Sequence, residues 1–576
     1  MSTSSEGDWR QDVRSGTAWF GHRVGALLPR GADYRAMRIA PQRDLIAGIT
    51  VGVVALPLAL AFGITSGLGA AAGLITAIIA GTVAAVFGGS NVQISGPTGA
   101  MTVVLVPIVA QYGANGVLVV GLMAGALLVI MALVGLGRYV RFIPLPVIEG
   151  FTLGIAVIIA LQQVPAALGV TGAGEQVVIV AVRAVGQWLT APQWVPALLA
   201  AGVAGVMIVA ARLRIRPAVP VALIAVVAAT LLVQVAHLDV ATIGALPSTL
   251  PLPSLPTFTL IDLRTLVAPA VAVAALAALE SLLSATVADA MSVSQRHDPD
   301  RELFGQGLAN IASPLFGGIP ATAAIARTAV NVRTGAVSRL AAIVHSAVLL
   351  GVVLILGAAV SLIPLAALAG VLIATALRMV EVSSLRALLH SGRSDALVLL
   401  ITFVATVALD LATAVILGIV TAGAIALRQV ARSATLTETP LQDVGGSDAH
   451  TAEERELLDE HIVAFRFEGP LFFGGAHSAL LELAEVSDIR VVILRLAHLT
   501  SLDATGAAVL SDTIRSLENR GITVLVSGLP DRFRPPMSAT GMLEHLAEQN
   551  HAFDHTPDAI AHARRHVARD GHHLTG

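Results

Sequence analysis

Two charged residues lie in otherwise apolar stretches of the sequence. Glu280 follows fifteen uncharged residues that begin after Arg264, and Ser284 comes four positions later, on the same face of a helix. Arg327 lies in the apolar segment 320–328. Charged side chains inside a membrane are costly and mark function by default. Apolar surroundings favour the neutral form of a carboxylate, which suits Glu280 to carrying a proton, whereas an arginine attracts an anion.

Each of the two residues also has a structural alternative. Glu280 would then be a structural acid paired to an arginine. Arg327 would be an anchor at the cytoplasmic end of its helix, with its long side chain reaching to the membrane surface.

Two segments of the chain resemble one another. Segments 87–98 and 316–322 share Phe-Gly-Gly, followed by Ile, Pro and Thr at unequal spacing. They open the third and the tenth predicted membrane spans. Because the offset of seven spans is odd, the two copies would run through the membrane in opposite directions. Inverted repeats with Gly/Pro-interrupted segments at matching positions indicate the substrate site of a transporter. The alternative is chance similarity in a glycine-rich chain.

The charges expected at these segments favour an anion. Each of the two helices that start near the membrane centre points its positive dipole end, equivalent to about half a charge, into the space between them. Pro97 suits the first turn of the helix that starts the third span. With Arg327 the site would carry about +2, reduced to about +1 by an ionised Glu280. Protonation of Glu280 would restore the larger value and favour a dianion. The pattern therefore predicts proton–anion symport.

The other acids of the apolar region are expected to be structural. Glu149 follows two prolines at the start of a predicted span, where a carboxylate stabilises a helix N-terminus. Phe62 lies beside the Gly/Pro-interrupted helices and is a candidate pocket residue, although packing is the commoner role of a phenylalanine. Ordinary interfacial positions are expected for the acids at span ends, namely Asp44, Asp289, Glu381, Asp395 and Asp410.

The composition is that of an integral membrane protein. The chain of 576 residues is 55% hydrophobic and 13% charged, with a mean hydropathy of +0.81, whereas globular domains carry roughly a quarter charged residues. A net charge of −3 shows no excess of positive charge that would attract a nucleic acid. All 35 basic residues are arginine and cysteine is absent, which excludes disulfides, thiolates and Schiff-base chemistry. The sixteen histidines show no metal-site spacing, and no cofactor is expected.

The apolar runs predict fourteen membrane spans, several of them too short to cross alone. The spans are 44–64, 67–87, 96–112, 116–137, 146–168, 192–211, 217–236, 265–286, 303–315, 320–333, 339–362, 366–378, 395–409 and 411–428, and 177–185 is a further amphipathic candidate. Loops after even-numbered spans hold most loop arginines, which places both termini in the cytoplasm. We expect a multi-pass protein of a bacterial-type inner (plasma) membrane.

Composition divides the chain into five parts. These are a cytoplasmic N-terminal arm (1–43), a transmembrane domain (44–430), a linker (431–459), a small cytoplasmic α/β domain (460–565) and a disordered tail (566–576). In the α/β domain, strands at 462–473, 491–494 and 522–526 alternate with a helix at 504–520 and two later helices. Asp503 is expected to cap the helix, and Thr505 is a candidate phosphorylation site.

Several motifs together resemble the SulP family of anion permeases, and the tail resembles a STAS domain. The motifs are Leu56-Pro-Leu-Ala-Leu-Ala-Phe62, Gln93-Ile-Ser-Gly-Pro-Thr-Gly-Ala-Met101, Pro146-Val-Ile-Glu-Gly-Phe151, Glu280-Ser-Leu-Leu-Ser284, Gly305-Gln-Gly-Leu-Ala-Asn310 and Arg327-Thr-Ala-Val-Asn331. The resemblance covers nearly the whole chain beyond residue 43.

The resemblance implies fourteen spans in two inverted seven-span repeats, arranged as core and gate domains, and a homodimer. It also implies a substrate site between the starts of the third and tenth spans. Carried over by position, the substrate-binding residues would be Phe62, Thr98, Gly99, Ala323, Ala324 and Arg327, with Glu280 and Ser284 as ion-coupling residues. Sodium-driven bicarbonate transporters of the family resemble this stretch but carry Asp, Thr and Thr at Glu280, Ser284 and Ile325, which favours protons here.

The sequence therefore predicts a secondary active transporter of small anions, working by elevator-like alternating access with proton coupling. The class of anion stays open between sulfate, bicarbonate and C4-dicarboxylates. The alternatives are a sodium-coupled bicarbonate symporter, an anion channel or exchanger, and a sensor whose output is the STAS domain, for which a regulatory partner is possible. Nothing in the sequence supports an enzyme.

Overall fold

The computed structural model describes residues 23–142, 144–171, 176–213, 219–246, 249–257, 260–292, 296–409, 411–432, 435–438, 461–472 and 489–569. The chain divides into two compact units, Met1–Ile419 and Val420–Gly576. The first is almost entirely helical, and the second contains a β-sheet covered by helices.

The main helices of the first unit follow a short helix at Gly31–Arg35. They are α1 (Pro41–Thr65), α2 (Ala70–Phe87), α3 (Gly99–Val134), α4 (Leu145–Leu168), α5 (Val177–Thr190), α6 (Trp194–Arg212), α7 (Val221–Val235), α8 (Leu260–Met291), α9 (Pro299–Leu315), α10 (Ile325–Thr334), α11 (Leu340–Val360), α12 (Leu365–Met379), α13 (Val382–Ser391), α14 (Arg393–Ala408) and α15 (Leu411–Arg432), the last of which continues into the second unit. Two short strands, β1 (Ser95–Gly96) and β2 (Thr322–Ala323), precede α3 and α10.

These helices agree closely with the predicted spans. Nine helical segments in the described part of the chain are long and apolar enough to cross a membrane. Each predicted span coincides with a helix or with one half of α3, whose backbone breaks at Gly113 (φ 70°). The amphipathic candidate at 177–185 is the helix α5, whereas α13 was not predicted. The count of fourteen membrane crossings stays a prediction.

Glycines allow several of these helices to pack backbone to backbone. A Cβ atom at Gly48 of α1 would lie 2.5 Å from the carbonyl oxygen of Ala341 in α11. A Cβ atom at Gly125 of α3 would lie 2.7 Å from the carbonyl oxygen of Gly307 in α9. Close approach at small residues is how helices associate in lipid, where burial of apolar surface gives no driving force.

Two acids hold together one end of this bundle. Asp44 is fully buried and accepts hydrogen bonds from the backbone nitrogens of Val337 and Ser338 and from the Ser338 hydroxyl. The prediction of an ordinary interfacial position for Asp44 was therefore wrong, because the loop before α11 folds over it. Nearby, Asp33 forms an ion pair with Arg301 at 2.7 Å.

The second unit contains a mixed sheet. Its strands are β3 (Thr435–Glu438), β4 (Ile462–Leu471), β5 (Val491–Arg495), β6 (Leu499–Leu502), β7 (Thr523–Ser527) and β8 (Ala552–Phe553), and its helices are α16 (Ala504–Asn519), α17 (Arg534–Ala539), α18 (Met542–Glu548) and α19 (Thr556–Arg569). The strand order is β3-β4-β5-β7-β8, with β6 also beside β4. Only β3 is antiparallel to its neighbour among these pairs. Two apolar clusters cover the two faces of the sheet.

Several boundaries of this unit differ from the predicted ones. Strand β3 lies inside the segment predicted as a linker, and α19 continues to Arg569, past the predicted end of the domain at 565. Residues 570–576 of the predicted tail lie outside the described residues. Asp503 caps α16 as predicted, because its carboxylate accepts a hydrogen bond from the Gly506 nitrogen at 2.7 Å.

Candidate functional site

The two similar segments meet inside the first unit. Strands β1 and β2 pair antiparallel, with Ser95 opposite Ala323 and Gly96 opposite Thr322. Helix α3 starts three residues after β1, and α10 starts two residues after β2. Since each helix begins where its strand leaves this pair, both N-termini are brought to one place inside the bundle. Helix α3 starts at Gly99, so Pro97 precedes the helix and the prediction that it lies in the first turn was wrong.

Buried amides hold the two connecting segments. Asn310 of α9 donates to the carbonyl oxygen of Ala321 and accepts from its nitrogen, both at 2.8 Å. Asn331 of α10 donates to the carbonyl oxygen of Val92 at 2.7 Å. Irregular backbone is tolerated at membrane depth only where such partners satisfy it. Asn310 and Asn331 belong to the motifs that resemble the SulP family, but their structural role was not predicted.

Thr98 links the start of α3 to Glu280 of α8. Its hydroxyl accepts from the Met101 nitrogen at 3.3 Å, as a helix cap does, and donates to the Glu280 carboxylate at 2.9 Å. Thr98 is buried and Glu280 is half-buried. The carboxylate accepts from Thr98 through one oxygen and is available for protonation at its other oxygen. The same hydroxyl therefore connects the cap of α3 to Glu280.

Arg327 lies in the first turn of α10 and is only 2% exposed. Its Nη2 atom donates to the carbonyl oxygen of Pro97 at 2.8 Å, which ties α10 to the start of α3. Its Nη1 atom is buried and has no hydrogen-bond partner within the described ranges. A side chain buried in this way does not reach the membrane surface, so the anchor hypothesis was wrong.

Gly96 makes room for this arginine. Its φ of 155° is one that L side chains rarely adopt, and a Cβ atom there would lie 2.8 Å from Nη1 of Arg327. A side chain at this position would displace the guanidinium from the start of α3.

Ser284 faces α10 rather than solvent. It is fully buried and its hydroxyl donates to Thr328 Oγ1 at 3.2 Å. Thr328 also accepts from the Ile94 nitrogen at 3.1 Å. Ser281, one residue after Glu280, lies 3.0 Å from Thr322 across the same interface. The hydroxyls of α8 therefore join this helix to both connecting segments, and the sequence did not indicate the parts of Ser281 and Thr328.

Four further predicted residues lie at or beside the helix starts. A Cβ atom at Gly99 would lie 3.2 Å from Cε1 of Phe62, whose side chain is 7% exposed, and would also meet Ile159. Ala324 is the cap residue of α10, and Ala323 is buried within β2. The structure thus brings Phe62 and Gly99 together beside the N-terminus of α3. Ala323 and Ala324 lie on the other side, at β2 and the N-terminus of α10.

An open pocket lies beside Glu280. One wall is formed by α8 and α10 and the other by α4, α12 and α15. Its lining is mostly apolar, namely Val147, Ile148, Phe151, Thr152, Ile155, Leu279, Glu280, Leu283, Ile325, Met379 and Val415. Glu280 is the single ionisable residue of this lining, and Phe62, Thr98 and Arg327 are not part of it. Across the described residues, no three His, Asp or Glu side chains form a group that could hold a metal ion.

The chain resembles known transport proteins over most of its length. Residues 42–402 match the sulfate permease family, and residues 457–559 match the STAS domain. The protein named "Putative sulfate transporter YvdB" from Bacillus subtilis is 38% identical, over 89% of this chain and 96% of that protein. The bicarbonate transporter BicA of Synechocystis is 31% identical, over 92% of this chain and 93% of that protein.

Solved structures show the same fold. The transmembrane domain of a cyanobacterial BicA is 33% identical with a TM-score of 0.59, covering 66% of this chain and 98% of that one. The murine anion transporter Slc26a9 in its inward-facing state aligns with a TM-score of 0.80 at 16% identity, covering 94% of each chain. At this low identity the second comparison concerns the fold alone.

Proposed function

Because the chain belongs to the sulfate permease family, we propose that it is a secondary active transporter that moves small anions together with protons. Family membership makes it a multi-pass membrane transporter of anions and not an enzyme. The observation that carries the finer proposal is the proximity of Arg327 and the start of α10 to the Thr98–Glu280 hydrogen bond.

The site has the charge that an anion needs. The N-terminus of α10 has no side-chain cap, so its free amides and its dipole end favour a negative ligand. Arg327 adds a full positive charge with little exposure to water, and the field of such a charge is screened less than at a surface. We propose Thr98, Gly99, Ala323 and Ala324 as the residues around the anion, with Phe62 as an apolar wall.

Glu280 is the proposed proton carrier. An ionised Glu280 reduces the positive field at the start of α10, and a protonated Glu280 restores it. Anion and proton therefore favour one another's binding, which is the thermodynamic requirement for symport. Ser284 is proposed to support this site from α8 through Thr328.

Alternating access is proposed to occur between two groups of helices. The pocket beside Glu280 separates α8 and α10, which carry the charged residues, from α4, α12 and α15. Sliding of the first group against the second would carry the anion across the membrane. We further propose a homodimer in a bacterial-type inner membrane with both termini in the cytoplasm, a membrane domain over 44–430 and a regulatory partner for the STAS domain.

A sodium-coupled bicarbonate symporter is the second candidate, supported by the 31% identity to BicA. It is disfavoured by Ile325, an apolar residue that is 43% exposed beside Glu280, where a sodium ion would need oxygen ligands.

Uptake into proteoliposomes tests these proposals. Labelled sulfate, bicarbonate and fumarate would each be offered under an inward pH gradient and, separately, an inward sodium gradient. We expect accumulation of at least one anion with the pH gradient alone. Accumulation that requires sodium would select the second candidate, and downhill flux without gradient-driven accumulation would select a channel.

A further inference from the structure

A buried amide joins helix α9 to strand β1. Gln306 of α9 is fully buried, and its Nε2 atom donates to Oγ of Ser95 at 2.7 Å and to Oε1 of Glu302 at 3.0 Å. Ser95 lies in β1, opposite Ala323 of β2. The side chain of Gln306 therefore contacts the strand pair from which the two helices of the proposed anion site start.

The carboxylate of Glu302 holds the chain segment that leads into β1. Glu302 is 2% exposed, and its Oε2 atom accepts from the backbone nitrogens of Gly89 at 2.9 Å and Ser90 at 3.1 Å. A Cβ atom at Gly88 would lie 3.0 Å from the same oxygen, so a side chain there would crowd the carboxylate. Glycine at this position of the Phe-Gly-Gly segment thus lets Glu302 reach the backbone.

The two acceptors determine how the amide of Gln306 is oriented. An ionised carboxylate only accepts hydrogen bonds, whereas the amide of glutamine has two donor hydrogens on its nitrogen. The amide nitrogen must therefore face Glu302, and its second hydrogen is directed to Ser95. Because Oε2 of Glu302 is bound to the backbone and Oε1 to Gln306, the carboxylate, the amide and the hydroxyl form one continuous chain of hydrogen bonds from α9 to β1.

We propose that Gln306 is a positioning residue, which fixes Ser95 and thereby the N-termini of α3 and α10 around the anion. Helix α3 begins three residues after β1 and α10 begins two residues after β2, so a shift of this strand pair moves both helix ends. A buried polar network whose hydrogen bonds are made holds its members rigidly. This role rests on the proposed function, because the anion binds at these helix ends.

Removing the amide tests this role in transport. Gln306→Met keeps the length of the side chain and loses both hydrogen bonds. In anion uptake at a saturating pH gradient, we expect it to raise KM about tenfold and to change Vmax less than about threefold, because the helix ends are misplaced while the proposed proton carrier is intact. Gln162→Met in α4 is the matched control, since Oε1 and Nε2 of Gln162 are buried without a hydrogen-bond partner among the described residues. An equal KM in Gln306→Met and the wild type would overturn the proposal.

A double-mutant cycle tests whether Gln306 acts through the strand. Ser95→Ala removes the hydroxyl that accepts from Gln306 and leaves the hydrogen bond to Glu302. Alone it should raise KM about fivefold, the equivalent of one hydrogen bond. Since both substitutions break the same contact, the double variant should raise KM about tenfold, as Gln306→Met does, and not by the product of the two effects. An unchanged KM in Ser95→Ala, or additive effects in the double variant, would contradict action through Ser95.

Hydrogen exchange tests the same role without transport. In the full chain in detergent and without anion, amides of residues 94–102 should exchange at least about threefold faster in Gln306→Met than in the wild type, whereas Gln162→Met should leave them unchanged. Equal exchange in Gln306→Met and the wild type would overturn the proposal even if the protein transports anions. Conversely, faster exchange in a protein that binds and transports no anion would contradict the proposed function and leave the hold of Gln306 on β1 standing.

Discussion

The hydroxyl of Thr98 donates to the carboxylate of Glu280 at 2.9 Å, across 182 positions of sequence. The same oxygen accepts from the Met101 nitrogen at the start of α3. A change in the charge of Glu280 therefore changes the hydrogen bonding at the first turn of α3. This helix is one of the two that begin at the proposed anion site. This hydrogen bond is a direct physical connection between the proposed proton carrier and the proposed anion site.

Replacing Thr98 by Val should weaken both functions of the hydroxyl. The variant loses a helix cap, which costs about 1 kcal/mol of stability, and leaves Glu280 without its donor. We expect a lower thermal unfolding temperature in detergent and a shifted pH profile of uptake. Thr98→Ser keeps the hydroxyl and serves as the matched control, for which both quantities should stay close to the wild type. A normal pH profile in Thr98→Val would show that the hydrogen bond has no part in coupling.

Arg327 should act through its charge. In Arg327→Gln the positive charge is lost, and we expect anion affinity to fall about a hundredfold, because a charge-assisted interaction in a poorly solvated site is removed. Arg327→Lys keeps the charge but cannot reproduce the planar contact with Pro97, so an intermediate loss is expected. Anion-dependent thermal stabilisation of the purified protein measures both. Equal affinities in the two variants would contradict a charge-based role.

The ion pair between Asp33 and Arg301 should stabilise the first unit at neutral pH, and this stabilisation should be lost in acid. Burial opposes ionisation of Asp33, but hydrogen bonds from the Arg301 side chain and the Arg30 backbone outweigh it and lower the pKa of Asp33 below its ordinary value of 3.8. A carboxyl whose pKa is lowered by folding contributes stability above its unfolded pKa, and this is lost as pH falls through the folded pKa.

Asp33→Asn should therefore lower the free energy of unfolding by about 1–3 kcal/mol at pH 7, since Arg301 loses a charged partner. The difference from the wild type should shrink as the pH is lowered below about 4. Thermal unfolding in detergent at several pH values measures this. Asp239→Asn, at an exposed position of the same unit, is the control, and a penalty in Asp33→Asn that does not depend on pH would contradict the electrostatic origin.

A cluster of imidazoles should make α19 sensitive to acid. His551 lies beside His562 and His566 of α19, with ring centroids 5.7 Å and 6.2 Å away. Burial and, after it, the repulsion from these two neighbours lower the pKa of His551. A histidine whose pKa is lowered by folding costs stability as pH falls below its unfolded value of about 6.5.

Hydrogen exchange of the full chain should show this effect. We expect amides of α19 to exchange faster at pH 5.5 than at pH 7.5 after correction for intrinsic rates, and His551→Gln should reduce the difference. His498→Gln, at an exposed position of the same unit, is the control. Identical pH dependence in His551→Gln and the wild type would contradict a contribution from this cluster.

The charged residues of the site could be recognised from sequence because membrane spans so rarely contain them. Glu280 and Arg327 stood out against apolar neighbours, and the shared Phe-Gly-Gly segments indicated that two interrupted helices meet. The helices were also found by their apolar runs. In α13, by contrast, Arg386 and several serines interrupt the pattern, so this helix was missed.

The contacts within the site could not be predicted in the same way. The register of β1 on β2 and the hydrogen bond from Thr98 to Glu280 join residues that are far apart in the sequence, and both are set by the packing of the whole bundle. His345 lies in an apolar helix, and only its burial without a hydrogen-bond partner among the described residues distinguishes it. Strand β3 is short and half polar, so its sequence gives little indication of a strand.

Proton movement in Glu280→Gln is the most direct test of coupling. The wild type and the variant would be placed in liposomes that contain a pH indicator, and external anion would be added without a pH gradient. We predict internal acidification together with anion entry in the wild type. The variant should still exchange internal for external anion, but should move no protons. Glu149→Gln, whose carboxylate accepts from Ser384 away from the site, should behave as the wild type. Acidification by Glu280→Gln at the wild-type rate would contradict the assignment of Glu280 as the proton carrier.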